Sequence, residues 1–284
     1  LYASIIGNVI NFCLNAFFLF VLHKGVAGVA TATVVSRIIN LVIVVLLGAV
    51  LVKAKKHPER ESNREVMGQI IRIGLPSACE TAIYNVSMTL VIRFLNQMDA
   101  QGLNVTARSY TMQITNFSYC VGAALAQANA IMTGWRIGAK EYDACDRGTR
   151  KAAIIGVIVA VILETMFALC SGWIMQLFSK DPQMVSLVGK LLAIDIVLEM
   201  GRVTNLVYGQ ALKTSGDAVF PVVMGACFMI LCSVGGTYLF GIRLGLLAVG
   251  AYIGMAGDEC VRAIGMYLRW KSGKWKQKGL VKSR

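Results

Sequence analysis

Apolar and polar positions alternate in long blocks along this chain, not within short segments. Eight windows are almost unbroken runs of Leu, Ile, Val, Ala, Gly, Met and Phe: Leu1–Leu22, Val26–Val52, Ile73–Met98, Val105–Thr133, Ala152–Leu177, Val185–Leu212, Val219–Phe240 and Leu246–Leu268. A helix of about 20 apolar residues, rising 1.5 Å per residue, covers the roughly 30 Å of hydrocarbon in a bilayer. The pattern predicts an all-α membrane protein, a polytopic helical bundle of about eight transmembrane helices.

The connections test that count, because short loops rich in Lys and Arg stay on the cytoplasmic side. Lys53, Lys55, Lys56, Arg60, Arg64 and Arg72 follow the second window, and Arg136, Lys140, Arg147, Arg150 and Lys151 follow the fourth. Arg269, Lys271, Lys274, Lys276, Lys278, Lys282 and Arg284 follow the eighth. The connections between carry little positive charge: His23 and Lys24, then Asp99 to Gly102, then Lys180 and Asp181, then Arg243. The alternation predicts odd-numbered connections facing outward and a cytoplasmic C-terminus. Lys53 to Glu65, with Pro58 and mixed charges, reads as a surface linker. The predicted organisation is therefore 1–52 (two spans), 53–65 (cytoplasmic linker), 66–271 (six-helix bundle) and 272–284 (basic tail).

Composition agrees. Of 284 residues 56% are hydrophobic and 15% charged, against roughly a quarter charged in soluble domains. The net charge of +13 is gathered in loops instead of forming a stripe on a polar surface, which argues against a nucleic-acid partner. The eight cysteines form no C-x-x-C pair, and His23 and His57 stand alone in loop segments. Neither a metal centre nor a nucleophile–base pair is indicated, and no H-E-x-x-H appears to suggest an intramembrane enzyme. The cysteines read as small packing residues. Leu1 opens directly on an apolar run with no signal-peptide features, which predicts further chain upstream.

A weak internal repeat accompanies the windows. Phe18-Leu19-Phe20 aligns with Tyr238-Leu239-Phe240, and Gly25 with Gly245, at an offset of about 220 residues. The first two spans would then end one six-helix unit whose start lies about 150 residues upstream of Leu1. Parallel repeats of this kind place a substrate path between two bundles.

Nine ionisable residues fall well inside the spans: Arg37, Glu80, Glu164, Asp195, Glu199, Arg202, Asp258, Glu259 and Arg262. Exposing all of them to lipid would cost roughly 25 kcal/mol on the insertion scale, so they must face inward, pair, or line a wet cavity. Asp195, Glu199, Arg202 and Asn205 follow a 4-3-3 spacing on one helix face. Arg202 is placed to neutralise Glu199, and Asp195 has no such base nearby in sequence. Arg262 lies four and three residues beyond Asp258 and Glu259. Glu80 sits just past Pro76, whose ring frees backbone carbonyls. Glu164 stands among apolar neighbours and needs a proton or a base from another helix. Arg93 and Arg108 flank an outward loop and are expected to snorkel to the interface. Gln113 and Asn116, with Tyr84, Asn85, Met88 and Asn205, are candidates for a substrate path.

Several segments, in order along nearly the whole chain, resemble the multidrug and toxic compound extrusion family of twelve-helix antiporters. They are Gly7-Asn8 with Asn11 and Asn15; Gly25 to Thr33; Gly74-Leu75-Pro76-Ser77; Gly138 to Ala144; Glu199, Gly201, Arg202, Asn205 and Ala211 to Asp217; and Asp258-Glu259 with Arg262, Arg269-Trp270 and Trp275. The resemblance implies export of cationic or amphipathic drugs or metabolites in exchange for protons or sodium ions. It implies no organic cofactor, a lipid-embedded and monomeric full-length protein, and residence in a bacterial inner membrane. The acids that would bind the coupling cation are Glu80 with Asp195 or Glu199. A flippase of lipid-linked oligosaccharide, from the same superfamily, is the alternative, although it would want a basic cavity.

Overall fold

The computed structural model describes residues 2–51, 63–99 and 102–277, so most of the predicted linker and the end of the basic tail lie outside the described residues. They fall into two compact units, Leu1–Asn63 and Arg64–Arg284. The described part is helical throughout, as expected of a polytopic all-α membrane protein.

In the first unit, α1 (Tyr2–Ala16) runs on as a π-helical segment, Phe17–Val21, and α2 spans Gly25–Leu51. The helices meet at a polar contact: Asn11 Nδ2 donates to Ser36 Oγ at 2.8 Å, while within α1 Asn15 Nδ2 donates to Asn11 Oδ1 at 3.1 Å. Such amide bonds join helices where lipid supplies no hydrophobic drive for association.

The second unit contains α3 (Asn63–Met98), α4 (Leu103–Gly138), α5 (Tyr142–Leu169), the single turn α6 (Ser171–Met175), α7 (Pro182–Thr214), α8 (Val219–Phe228) and α9 (Leu247–Lys271). Two π-helical stretches, Met229–Val234 and Thr237–Arg243, extend α8. Several helices outrun their apolar windows, since a helix keeps its hydrogen bonds on leaving the hydrocarbon. The fifth departs most, starting ten residues before the window that opened at Ala152 and breaking at Cys170. Three stretches, Gly25–Gly48, Tyr142–Leu169 and Val219–Arg243, are long and apolar enough to cross a membrane on composition alone. The other long helices of this unit are diluted by polar residues, and the charged ones at their centre, Asp195, Glu199, Asp258, Glu259 and Arg262, turn inward.

This unit is built inside out relative to a water-soluble bundle. Phe117, Trp135, Leu169, Trp173 and Leu177 are exposed, whereas Glu164, Asp195, Glu199, Asp258 and Arg262 are buried. Of the cysteines, only Cys145 is buried, and Cys13, Cys79, Cys120, Cys170 and Cys227 are exposed. Most therefore sit on outer helix faces and are not packing residues. An apolar run says that a residue lies in hydrocarbon, not which way it points.

The turn between α1 and α2 recurs between α8 and α9. His23 (φ 49°) and Gly25 (φ 53°) correspond to Gly245 (φ 68°) and Leu247 (φ 51°). Each turn follows a π-helical end and is closed by the same bonds: Lys24 N to Phe18 O and Gly28 N to Lys24 O in one, Leu246 N to Phe240 O and Gly250 N to Leu246 O in the other. The true register thus lies two residues beyond the one the Phe-Leu-Phe alignment gave. Apolar side chains pointing at lipid are interchangeable, and hydrogen bonds closing a turn are not.

At the opposite end of the unit Trp270 and Trp275 stack with ring centroids 4.2 Å apart. Trp270 Nε1 donates to Asp146 at 2.8 Å and Trp275 Nε1 to the Trp270 carbonyl at 3.0 Å, tying the end of α9 to the start of α5.

The centre of the unit is the crossing of α7 and α9. A Cβ on Gly201 would lie 2.8 Å from both Glu259 C and Cys260 N, so the backbones touch there. Val203, the second residue after it, fills the spaces left by Gly122 of α4 and Gly156 of α5. Gly201→Val is expected to cost about 1–3 kcal/mol through overpacking, read as a lower melting temperature of the full-length protein in detergent. Gly138→Ala, where an added Cβ meets nothing within 4 Å, should leave the melt unchanged.

The connection between α3 and α4 supplies a pH-sensitive anchor. Asp99 accepts from the backbone N–H of Leu103 and of Asn104 at 3.0 Å each and also from the Asn104 amide, while Asn104 Oδ1 accepts from Ala248 N at 3.1 Å. Burial pushes the Asp99 carboxyl up, but its hydrogen bonds with Asn104, Leu103 and Gly102 outweigh that and hold it below its ordinary value. A depressed folded-state value means that this stabilisation is present above the unfolded value, near 4, and is lost as pH falls through the folded one. Asp99→Asn should remove that part of the acid destabilisation, measured as a smaller difference in melting temperature between neutral pH and about pH 3.

Candidate functional site

The nine interior charges of the sequence fall on five helices, and the α7–α9 crossing brings two of these sets together. Arg202 Nη1 lies 2.8 Å from Glu199 Oε2, one helical turn earlier. Across the seam Arg202 Nε stands 3.6 Å from Glu259 Oε1, and Arg262 Nη2, one turn further along α9 from Glu259, stands 2.9 Å from the same oxygen. Arg262 also grips Asp258 with both arms, Nε to Oδ1 at 3.0 Å and Nη2 to Oδ2 at 2.9 Å. Asn205 donates to Glu259 Oε2 at 3.1 Å, and Ser233, on the π-helical stretch of α8, donates to Asp258 Oδ2 at 3.0 Å. The carboxylates are shared among planar guanidinium forks, the arrangement in which a buried ion pair best recovers its desolvation cost.

This network forms one wall of a cavity of about 380 Å³, within the range of small-molecule sites. Glu80, Tyr84 and Met88 of α3, Asn116 and Tyr119 of α4, Asp195, Arg202 and Asn205 of α7, and Asp258, Glu259 and Arg262 of α9 all line it. The Tyr119 ring lies 5.9 Å from the Arg202 guanidinium carbon. Met112, Met229, Met255 and Met266 add flexible apolar surface, which adapts to ligands of different shape.

Other candidates lie elsewhere. Glu199 is fully buried behind Arg202. Glu164 is also fully buried, on α5, and neither of its oxygens makes a hydrogen bond within 3.5 Å; its polar surroundings are the Ser118 hydroxyl and the charges of Asp195, Glu199 and Arg202. Asn85 and Gln113 are exposed and do not line the cavity, and Asn85 bonds back to the Thr81 carbonyl. Arg37 is exposed on α2 in the first unit.

Two residues that bear on the site were not singled out by sequence. Lys213 Nζ lies 2.6 Å from Glu80 Oε2 and closes the cavity at the α3–α7 side. It continues the stripe Asp195, Glu199, Arg202, Asn205, Gly209 down one face of α7, so the helical spacing could have found it. Arg108, expected at the interface, is instead 7% exposed and lines the cavity. The connection between α3 and α4 is drawn in by Asp99 and Asn104, and α4 enters with Arg108 already facing inward.

The Glu80–Lys213 pair is 20% exposed on each side chain, so stranding one partner should cost more than removing both. Glu80→Gln or Lys213→Met alone is expected to lower stability by about 2 kcal/mol. The double variant should recover most of it, a coupling read from a thermal double-mutant cycle. Additive single effects would show that the contact is energetically empty.

Residues 76–239 match the MatE family. The chain is 33% identical over 287 residues to the uncharacterised transporter YisQ of Bacillus subtilis, covering 99% of this chain and 63% of that protein. It is 22% identical over 262 residues to the probable multidrug resistance protein NorM of Pasteurella multocida, covering 86% and 54%. The crystal structure of the eukaryotic MATE transporter AtDTX14 superposes with a TM-score of 0.86 at 18% identity, over 98% of this chain and 62% of that one. The chain thus spans less than two thirds of the length of these relatives. With the all-helical fold, the inward-facing charges and the match over more than half its length, the chain belongs to the MatE family of multidrug and toxic compound extrusion transporters, integral proteins of membranes.

Proposed function

We propose that this chain contributes the second bundle of a secondary antiporter, which exports small organic compounds across a bacterial inner membrane in exchange for protons or sodium ions. The observation that carries the reading is a buried acid on the cavity wall that no base answers. Glu80 is matched by Lys213, Glu199 by Arg202, and Asp258 and Glu259 by Arg262 with Arg202. Asp195 and Glu164 have no ion pair among the described residues, and Asp195 Oδ2 is buried without a hydrogen bond. Asp195 lines the cavity and Glu164 lies behind it.

An acid left unmatched in a low-dielectric site calls for a cation. A proton or sodium ion at Asp195 satisfies it, and so does the cationic group of a substrate lodged in the cavity. The two then exclude each other, which is the thermodynamic requirement for exchange. One ligand favours one arrangement of the two bundles and the other ligand the second arrangement. The charges of Glu80, on the cavity wall, and Glu199, behind Arg202, are already answered, so both serve better as fixed supports of the path than as ion sites. The basic connections after α4 and α9 support a cytoplasmic C-terminus, and a cavity wall with as many acids as bases is not the basic cavity that a lipid pyrophosphate would want.

In vesicles carrying the natural full-length protein, Asp195→Asn should reduce ion-driven efflux of an organic cation about tenfold or more. Glu141→Gln, at the exposed start of α5, should stay within about twofold of the unchanged protein. Undiminished efflux from Asp195→Asn sinks the coupling site.

A further inference from the structure

The cavity holds a second unanswered charge, of opposite sign. Arg108 is more than nine-tenths buried, lines the cavity and makes no ion pair among the described residues. Its Nη2 reaches only the Met88 thioether, at 3.6 Å, and its Nε has no partner. A thioether is a poor acceptor, and a guanidinium offers five donors in a planar fork matched to a carboxylate. Every other buried base on the cavity wall is held by an acid: Arg202 by Glu199, Lys213 by Glu80, and Arg262 by Asp258 and Glu259. Tyr252, buried and also lining the cavity, lies within electrostatic reach of both Arg108 and Asp195. The unmatched base and the unmatched acid thus belong to one chamber, with the apolar walls of Met88, Met112 and Met255 around them.

We propose that the preferred substrates are amphipathic zwitterions, whose carboxylate docks on Arg108 while their cationic group meets Asp195. This deepens the exporter reading and rests on it. A purely cationic compound would leave the guanidinium desolvated and unpaired, and sites with buried unpaired polar groups discriminate strongly against ligands that fail to satisfy them.

The test uses two fluorescent dyes that differ in one group, an aminoxanthylium with a free benzoate carboxylate and its methyl ester. Binding to the purified full-length protein is followed by fluorescence polarisation. The acid should bind about tenfold or more tightly than the ester. Arg108→Gln should abolish that preference, the acid losing affinity and the ester losing none, and Arg108→Lys should restore part of it. Ester binding equal to or tighter than acid binding in the unchanged protein overturns the assignment, even if no Arg108 variant folds. So does a preference that survives Arg108→Gln. An anionic lipid headgroup is the other source of an oxyanion: if phosphatidylglycerol displaces the acid dye from the unchanged protein and not from Arg108→Gln, the guanidinium serves lipid and the substrate assignment falls. Ion-driven uptake of the dyes into vesicles separates the two readings. Uptake of neither overturns the exporter, whereas uptake of the ester with exclusion of the acid overturns the zwitterion alone.

Discussion

The contact of α7 with α9 at Gly201 is the constraint on which the rest of this structure depends. A carboxylate or guanidinium carried alone into hydrocarbon costs several kcal/mol, and this crossing carries Glu199, Arg202, Asp258, Glu259 and Arg262 together. The pairs within each helix close to 2.8–2.9 Å, and Arg202 comes within 3.6 Å of Glu259 across the seam because no side chain separates the backbones at Gly201. Widening the gap would lengthen the contacts of Glu259 with Arg202 and Asn205 and leave each helix with only its own internal pairs. The small residue and the joining of the two charge sets into one network therefore stand or fall together. The same seam sets the cavity, since the paired groups form its wall.

Around that seam the bilayer inverts the usual division of labour. The outer faces of α5 and α8 need only be apolar, and their side chains are interchangeable at little cost. The ends of the helices leave the hydrocarbon, and there specific polar contacts return. Asp99 and Asn104 secure one end to Ala248, and Asp146 with the Trp270–Trp275 stack secures the other. With both ends fixed, the middle of the bundle can keep a cavity without collapsing upon it.

What the sequence made legible follows this physics. Apolar windows located the long helices because the cost of a polar residue in lipid acts on every position of a span. Glu199 with Arg202, and Asp258 and Glu259 with Arg262, could be paired from their spacing because three or four residues of helix fix their distance whatever the neighbours do. Glu80 with Lys213, and Asn205 with Glu259, could not, since they join different helices and depend on how each helix is rotated. Arg108 shows the same limit from the other side: the snorkelling rule describes a helix end free to meet the interface, and the Asp99 anchor removes that freedom. The repeat was visible as similar letters, but its register is carried by turn hydrogen bonds and positive φ angles.

The groups left unsatisfied are as informative as those that are paired. A chamber whose charges were all neutralised internally would bind an ion, a substrate or water with little preference, and a ligand with equal affinity for two states shifts nothing between them. Lys213 on Glu80 and Arg262 on Asp258 remove most of the charge from such competition. What remains is an acid at Asp195, answerable by a small cation or by one end of a substrate, and a base at Arg108, answerable by the other end. A coupling ion can meet only the first, so the ion and the substrate differ in how much of the chamber they satisfy. That difference is a free energy available to bias the position of the bundles, and it exists because α7 and α4 each bring one charge into the cavity without its counterpart.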